Sequence, residues 1–397
     1  MMKWPELAPI VTGLVSPTHH SYFIVSSFPH QTRICYDERR LSREGRVSKL
    51  TPEQTERMHS RLEMDAPAGA PPMTSAEIFA LVQSDLALVE AEFKHAVSDA
   101  PEVVAAMGCY LHEGGGKRVR PALLLLAAHM TGGAAGAAAV RMGVVMEMLH
   151  TATLVHDDII DEARVRRGQP SANARWGNNK TVLIGDWLYM TAFDLSLRER
   201  NFDILDSLTR MTRRMVEGEI IQLSLIGDSR ITEAQHLDIV ERKTAYMFSV
   251  CSEIGGILAA ANREQRRALA HYGKSVGIAF QLVDDVLDFV STEAKLGKPV
   301  ANDLREGKLT LPLIYLLEAG DADHRRMVET VMREGGFESV TREEVLRLID
   351  EHGTLERARR AALHYANEAI ESLDLFPHSP YRQALMSVPR FIVEREM

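Results

Sequence analysis

The sequence predicts an all-α protein, and two observations support this prediction. Helix-forming Ala, Leu, Met, Glu and Arg dominate from about residue 74 onward, and the apolar residues recur close to every 3.6 positions. Valine-containing segments such as VRMGVVMEML (140–149) keep this spacing instead of alternating, so no β-strand is predicted. A chain of 397 residues that is 45% hydrophobic can also bury a large core.

The first 72 residues differ from the rest of the chain. They mix Pro, Ser, His and charged residues without a sustained period, and they end in the linker-like segment APAGAPP (66–72). We expect a disordered extension, or a start codon placed too far upstream with Met73 as the true start. A small docking segment is the alternative.

Residues 73–397 are predicted to form a single all-α domain, a bundle around a cavity. Thr74 or Ser75 is a suitable N-cap for the first helix, AEIFALVQSDLALVEAEFKHAV. The apolar spacing predicts further long helices over about residues 117–131, 136–163, 180–199, 202–226, 232–261 and 264–291.

Charge and cysteine content exclude several function classes. A net charge of −9 and a pI near 5.9 argue against a nucleic-acid-binding protein. Three cysteines, far apart in sequence, indicate neither a disulfide framework nor a zinc site, and a cytoplasmic location follows most simply. The most apolar run, Ala122–Ala128, is too short to cross a bilayer, so no integral membrane segment is predicted.

Two copies of an acidic pattern carry the main functional signal. They are DDIID, from Asp157 to Asp161, and DDVLD, from Asp284 to Asp288, each in apolar, helix-forming sequence. Residues four apart share a helix face, so the first and last aspartates of each copy lie close together. Such carboxylates repel each other unless a cation lies between them, and hard oxygen ligands suit Mg²⁺ that serves a phosphorylated substrate. The pattern therefore predicts a diphosphate held between helices.

A glycine-rich basic segment precedes the first acidic copy. In GGGKRVRP (114–121), three glycines give the backbone freedom just before Lys117, Arg118 and Arg120. A helix that begins there adds its positive end, which makes the segment suitable for a diphosphate. The alternative is a flexible turn with a solvated basic face.

Further basic and polar residues accompany both acidic copies. Arg164, Arg166 and Arg167 follow the first copy, so that metal and guanidinium groups can grip one polyphosphate from two sides. His150 lies on nearly the same helix face as Asp157, where it can donate to a phosphate oxygen. Three more segments carry such residues: ERKT with Lys243 and Thr244, the Gln281 position before the second copy, and the loop with Lys298, Asp303 and Lys308.

In this order, GGGKRVRP, DDIIDEARVRRG, ERKT and FQLVDDVLDF with GKPVANDLREGKLTLP resemble the motifs of the trans-isoprenyl diphosphate synthases. The resemblance spans about residues 75–397. It implies the isoprenoid synthase fold, antiparallel helices around a deep central cavity, in a homodimer. The segment HTATLVHDD (150–158) is similar to long-chain members, such as octaprenyl and solanesyl synthases, that make quinone side chains.

The resemblance implies a transferase that joins isopentenyl diphosphate to an allylic diphosphate, such as farnesyl or geranylgeranyl diphosphate. The product would be a long all-trans-polyprenyl diphosphate for a respiratory quinone, and product release would bring at most a transient membrane contact. Departure of the allylic diphosphate needs its developing charge to be stabilised, which Mg²⁺ and fixed cations accomplish. The double bond of isopentenyl diphosphate then attacks the allylic cation. A proton is lost to the departing diphosphate, so no side-chain base is required.

The resemblance also implies a role for each matching residue. The metal ligands would be Asp157, Asp161, Asp284 and Asp288, with three Mg²⁺ ions in the presence of substrate. Supporting catalytic roles would fall to Asp158, Asp285 and Lys243. The allylic diphosphate would be held by Arg166, Lys243, Thr244, Gln281, Lys298 and Lys308. Isopentenyl diphosphate would be held by Lys117, Arg120, His150 and Arg167.

The residues upstream of Asp157 are expected to line the pocket for the growing chain. Thr153 and Ala152 lie one turn back, Leu149 two turns and Met146 three turns. In this family a bulky residue four or five positions before the first aspartate closes the pocket, and here both positions are small. A long product is therefore expected, with Met146 as a floor roughly 16 Å from Asp157. The alternative for Leu149 and Met146 is ordinary core packing.

Other functions explain less of the sequence. A class I terpene cyclase or a head-to-head prenyltransferase would share the first acidic copy but not the GGGKRVRP segment. A metal phosphohydrolase built on His156 and Asp157 would leave the second copy unexplained. A subunit of a heteromeric prenyl synthase, catalytic or regulatory, and a shorter-chain geranylgeranyl or farnesyl synthase remain open.

Overall fold

The computed structural model describes residues 72–133, 136–290 and 300–394, and these residues are almost entirely helical. The prediction for residues 1–72 therefore falls almost entirely outside the described residues. In chain order the helices are α1 (Ser75–Ala80), α2 (Gln83–Ser98), α3 (Glu102–Glu113), α4 (Val119–Met130), α5 (Ala137–Ile160), α6 (Ala172–Trp176), α7 (Asn178–Leu197), α8 (Phe202–Ser224), α9 (Glu233–Val240), α10 (Tyr246–Leu258), α11 (Arg263–Val290), α12 (Asn302–Arg305), α13 (Leu311–Ala319), α14 (Ala322–Glu334), α15 (Arg342–Glu351), α16 (Thr354–Glu371) and α17 (Pro380–Val393).

The first helix begins where its capping residues predict. The Thr74 hydroxyl accepts from the Glu77 N–H, and the Glu77 carboxylate accepts from the Thr74 N–H at 2.8 Å, which is a capping box. The Met73 N–H donates to Ser387 Oγ at 3.0 Å, so the start of this region is tied to α17.

The first predicted helix is divided at Leu81 and Val82 into α1 and α2. Two further features depart from the predicted helices. Within the described residues, the β-structure consists of β1 (Val165–Arg166) and β2 (Gln169–Pro170), which pair as a short antiparallel hairpin. The predicted helix over 232–261 contains a π-helical turn at Glu241–Ala245, between α9 and α10. Neither feature is visible in the apolar spacing, because each is shorter than the period that would reveal it.

Helices α5, α10 and α11 form the centre of the core. Helix α5 packs against α4 and α7, and α11 packs against α10 and α16. Two glycines allow the close approach of α11: a Cβ on Gly273 would lie 2.3 Å from the Phe248 carbonyl oxygen, and a Cβ on Gly277 would lie 2.5 Å from the Ala245 Cα. The backbone of α11 is thus held directly against the π turn, which carries Lys243 and Thr244.

Helix α5 is also the one described helix that is long and apolar enough to cross a membrane. However, 67% of its most apolar window is buried inside the protein, which is typical of a core helix. The helix also carries the first acidic copy near its C-terminus. Length and composition alone are therefore weak grounds for a membrane span here.

Candidate active site

A cavity of about 1480 Å³ lies among the helices that carry the sequence motifs. Apolar residues of α1, α4, α8 and α17 form much of its wall. It is larger than most small-molecule sites, which suits a long substrate. Of the site residues predicted from the sequence, those that line it are Lys117, Arg120, His150, Thr153, Asp157, Arg166, Arg167, Lys243, Thr244, Gln281 and Asp284.

Asp157 is the aspartate of the first acidic copy that lines the cavity. Burial raises the pKa of Asp157 from 3.8 to about 6; Lys243 opposes this rise, whereas Glu219 and Asp161 add to it. The nearby cations, Lys243 and Arg166, thus do not offset the burial of this carboxylate and the charges of Glu219 and Asp161. A bound cation would relieve this imbalance.

Asp158 lies behind the cavity wall and positions Arg166. Its carboxylate is buried and accepts from Arg166 Nε at 2.8 Å and from Arg166 Nη2. Arg166 is the last residue of β1, and the tight turn that follows places Arg167 and Gly168 at φ 52° and 75°. The hairpin therefore directs two consecutive arginines from a short rigid support.

The second acidic copy is divided between the cavity and the core. Asp284 lines the cavity, whereas Asp285 and Asp288 are buried at 2% and 1% exposure. The Asp288 carboxylate accepts from the Asp303 N–H at 3.2 Å, which connects α11 with α12 beyond the undescribed residues 291–299. Lys298 lies in that undescribed segment.

Lys308 pairs with the first acidic copy. Its Nζ donates to Asp161 at 3.1 Å and to Glu306 at 2.7 Å. Burial alone lowers the pKa of Lys308, but the hydrogen bond with Glu306 and the charges of Asp161 and Glu306 outweigh burial and raise it. Asp161 is the C-cap of α5 and, like Asp288, is not among the residues that line the cavity.

The aspartates fit Mg²⁺ better than a metal held by protein alone. Among the described residues, no three His, Cys, Asp or Glu side chains are grouped closely enough to hold a metal ion. Mg²⁺ usually takes one or two carboxylates and completes its shell with water and substrate phosphates. Asp157 and Asp284 offer hard oxygen atoms of that kind on the cavity wall.

The basic cluster of GGGKRVRP is divided by the fold. Lys117 and Arg120 line the cavity together with His150. Arg118 also lines it, but at φ 50° it pairs with two carboxylates: its Nη1 donates to Glu147 at 2.6 Å and its Nε donates to Glu90. Arg118 is thus held by the protein, and its neighbours remain directed at the cavity.

Arg120 and His150 form a partly buried pair beside the glycine-rich segment. Arg120 Nη1 lies 3.1 Å from His150 Nε2, and because a guanidinium only donates, this nitrogen accepts. Burial, aided by Arg120 and Arg167, lowers the pKa of His150 well below its usual value, so the ring is neutral and its donor is Nδ1. In the described part of the chain Arg120 Nε is buried without a hydrogen-bond partner, a geometry suited to an anion.

Two residues of α8 join the site that the sequence did not single out. Glu219 Oε2 lies 2.5 Å from Lys243 Nζ, and Gln222 Oε1 accepts from the same Nζ at 2.8 Å. Glu219 also lines the cavity. Their signal in the sequence is a polar pair three residues apart within the apolar segment GEIIQL (218–223), which places both on one helix face.

Of the residues predicted to line the pocket for the growing chain, one lies on the cavity wall. Thr153 lines the cavity, whereas Ala152, Leu149 and Met146 are fully buried in the hydrophobic core and are not among the lining residues. Five positions of helix turn Ala152 about 140° away from Asp157, which explains its place in the core. Leu149 and Met146 lie nearer the N-terminus of α5 and pack in the hydrophobic core.

Comparisons with known proteins identify the family. A profile of the polyprenyl synthetase family matches residues 101–349, well over half of the chain. The chain belongs to the polyprenyl synthetase family. The octaprenyl diphosphate synthase of Escherichia coli is 36% identical over 324 residues, which are 82% of this chain and 100% of that protein.

Solved structures of polyprenyl synthases share the architecture. A decaprenyl diphosphate synthase from Rhodobacter capsulatus has a TM-score of 0.75 at 36% identity and covers 80% of this chain and 98% of its own. A polyprenyl synthase from Caulobacter crescentus, complexed with calcium and isoprenyl diphosphate, has a TM-score of 0.77 at 32% identity, with 83% and 100% covered. The predicted all-α isoprenoid synthase fold and prenyltransferase activity are therefore confirmed.

Proposed function

We propose that this polyprenyl synthetase condenses isopentenyl diphosphate with an allylic diphosphate, farnesyl or geranylgeranyl diphosphate, to give a long all-trans-polyprenyl diphosphate for a quinone side chain. The observation that carries the proposal is a single large cavity with aspartates of both acidic copies, a set of cations and extended apolar walls. The two polar regions suit two diphosphates, and the apolar walls suit a prenyl chain.

The allylic diphosphate would lie between the two acidic copies. When bound, Mg²⁺ would be held by Asp157 and Asp284, which line the cavity, and would stabilise the charge that develops on the leaving diphosphate. Asp161 and Asp288, which the sequence also predicts as ligands, bond instead to Lys308 and to the Asp303 N–H. Arg166 and Lys308 are held near this region by Asp158 and Asp161. Lys243 pairs with Glu219 and would exchange this partner for phosphate oxygens.

Isopentenyl diphosphate would be held at the basic end of the cavity. Arg120 is buried with an N–H lacking a partner among the described residues, and Lys117 and Arg167 line the same cavity. The neutral His150 would donate through Nδ1, since its other nitrogen faces Arg120. The residues bind and orient two chains while the cavity excludes water from the reacting carbons.

A homodimer would complete one side of the cavity. Leu183, Met190 and Leu197 of α7 lie seven residues apart and are more than half exposed, which is a continuous apolar stripe. Val216 and Ile220 of α8 are exposed and also line the cavity. A second copy seated on α7 and α8 would cover this apolar surface and give the growing chain a closed wall. The proposed location of this dimer is the cytoplasm.

The proposal is tested by sizing the product. The purified chain is incubated with isopentenyl diphosphate, farnesyl diphosphate and Mg²⁺, and the extracted prenyl diphosphates are measured by mass spectrometry. A product of about eight to ten isoprene units is expected, with none when Mg²⁺ is chelated. A C20 product would instead identify a short-chain synthase, and no incorporation would point to a subunit that requires a partner.

A further inference from the structure

We infer that His236 is a positioning residue for the allylic end of the reaction, although it does not line the large cavity. His236 lies on α9 and is buried at 7% exposure. It acts through the carboxylate of Asp285, which in turn sets the orientation of Gln281 and Thr244. This inference rests on the proposed function, because Gln281 and Thr244 are assigned to the allylic substrate.

The first hydrogen bond of this series joins His236 to the second acidic copy. His236 Nε2 lies 2.9 Å from Asp285 Oδ2, and both side chains are almost completely buried. A carboxylate is an acceptor only, so Nε2 carries the proton and donates it. Within a buried setting such a hydrogen bond fixes the carboxylate plane, because the alternative orientation would leave a donor without a partner.

The second contact orients an amide. Gln281 Nε2 donates to Asp285 Oδ1 at 3.0 Å. Because Asp285 accepts on both oxygen atoms, it can receive only the NH₂ end of the Gln281 amide. The carbonyl end of the amide must then point away from Asp285, and one N–H of Gln281 remains in addition to the one that Asp285 receives.

The third contact sets the direction of a hydroxyl. The Gln281 carbonyl Oε1 accepts from the Thr244 hydroxyl at 3.0 Å. Thr244 has therefore given its only hydrogen to Gln281, so its oxygen can face the substrate only as an acceptor, which suits the positive charge that develops on the allylic group and not a phosphate oxygen, while Gln281 can act as a donor. Both residues line the large cavity and also a second cavity of about 190 Å³ behind it, which His236 and Asp285 line as well.

This series of three hydrogen bonds gives His236 a function that its burial alone would not. If the imidazole donor is removed, Asp285 keeps Gln281 as its partner but loses the bond that fixes its plane. The Gln281 amide and the Thr244 hydroxyl can then reverse their directions, so that the acceptor at Thr244 turns into a donor. Preorganised dipoles act by being fixed before the charge develops, so this loss reduces turnover rather than folding.

Two amide substitutions at His236 test whether the side chain must be long enough to reach Asp285 or need only be polar. In His236→Gln the amide nitrogen can occupy the place of Nε2, whereas in His236→Asn it falls short. We expect His236→Asn to lower kcat with farnesyl diphosphate by about tenfold or more, the effect of one hydrogen bond to a charged group. We expect His236→Gln to recover most of that loss, and the KM for isopentenyl diphosphate to change less than about twofold in both.

A control is available in a second, partly buried histidine–aspartate pair. His129 Nε2 lies 2.8 Å from Asp85 Oδ2, stacked against Tyr381 and outside the residues that line the cavity. His129→Asn should lower thermal stability and leave kcat unchanged. Equal kinetics of His236→Asn and wild type would overturn the inference, as would a His236→Gln variant that is as impaired as His236→Asn.

A double-mutant cycle keeps the inference testable if His236→Asn folds poorly. Thr244→Val removes the last member of the hydrogen-bond series. Adding His236→Gln or His236→Asn to the Thr244→Val variant should therefore cause little further loss of activity. Fully additive losses would contradict action through Thr244. If wild type itself does not condense the two diphosphates, the proposed function fails, and this outcome is distinct from a failure at His236.

Discussion

Neighbouring aspartates of the DDIID segment have opposite surroundings. Asp158 is buried against Arg166, which neutralises it, whereas Asp157 faces the cavity beside Glu219 and Asp161. The fold thus leaves one carboxylate with insufficient compensation, at the place where a cation and a diphosphate are proposed to bind. Such a residue lowers the stability of the protein in exchange for binding.

The stability of the protein should increase when this charge is removed. Because the pKa of Asp157 is raised from 3.8 to about 6 in the folded protein, its ionised form destabilises the fold above about pH 6, and the penalty disappears below about pH 4. Asp157→Asn should raise the free energy of unfolding by roughly 1–3 kcal/mol near neutral pH and by much less near pH 4.

Urea unfolding of wild type and Asp157→Asn at both pH values, with divalent cations chelated, measures this difference. Asp158→Asn serves as the control, because it breaks the pair with Arg166 and should destabilise. A difference for Asp157→Asn that does not depend on pH would show that the carboxylate is not the cause.

A bulky substitution at Thr153 should shorten the product, whereas the same substitution at Ala152 should lower the stability of the protein. Thr153 lines the cavity, so Thr153→Phe should block part of the apolar space and shorten the product by one or more isoprene units. Ala152 has no exposed surface in the core, so Ala152→Phe should instead destabilise the protein by about 1–3 kcal/mol or more. Mass spectrometry of the products and thermal unfolding of both variants distinguish the two effects, and an unshortened product from Thr153→Phe would contradict the wall assignment.

The sequence predicted the chemistry of the site better than its geometry. Asp157 and Asp284 line one cavity with the basic residues, as the motifs led us to expect. Helical spacing placed Asp161 beside Asp157, but α5 ends there, and the side chain turns to Lys308. Spacing also cannot show which arginine of GGGKRVRP pairs with carboxylates of the protein itself, because Glu90 and Glu147 reach Arg118 only through tertiary packing.

At the scale of helices, apolar periodicity was sufficient to predict where the long helices begin and end. Every described boundary of the predicted long helices differs from the structure by at most three residues, as at 163 against Ile160. Such agreement follows because each of these helices buries a face in the core. The β1–β2 hairpin and the π turn could not be predicted in this way, since both are set by local backbone geometry.

The packing of α11 on the π turn should tolerate no added methyl group. Gly277→Ala would place a Cβ 2.5 Å from the Ala245 Cα, a backbone atom that cannot move aside. We expect a loss of stability of about 1–3 kcal/mol and a lower kcat, because Thr244 shifts with the turn. Gly336→Ala, which meets nothing within 4 Å, is the control. Thermal unfolding and steady-state kinetics of both variants provide the check, and unchanged values for Gly277→Ala would show that the two helices can separate without penalty.

At the scale of the whole molecule, the cavity walls end at exposed apolar surface on α7 and α8. Ile220 lines the cavity and is still 62% exposed, so one chain does not enclose the space that it forms. Assembly and product length are therefore linked in the proposed dimer, and a variant that weakens association should also release shorter or more varied products.

Removal of residues 1–72 should leave the enzyme intact. The described helices form one compact unit, and Met73 is already bonded to α17. A chain that begins at Met73 is expected to keep its kcat within about twofold and its melting temperature within a few degrees. Steady-state kinetics and thermal unfolding of the truncated chain provide the measurement. A large loss of activity without loss of stability would assign the extension a role in docking.

The π turn at Glu241–Ala245 also bears on how the chain can change in length. A π turn holds an extra residue compared with an α-helical turn, so deletion of a single residue would let α9 and α10 continue as one regular helix. Because the π turn takes up its extra residue in one wider turn, that deletion would leave α9 nearly in its present register with α10 and His236 near Asp285. A one-residue deletion in this segment would therefore displace Lys243 and Thr244 while the helices on either side stay aligned with α11.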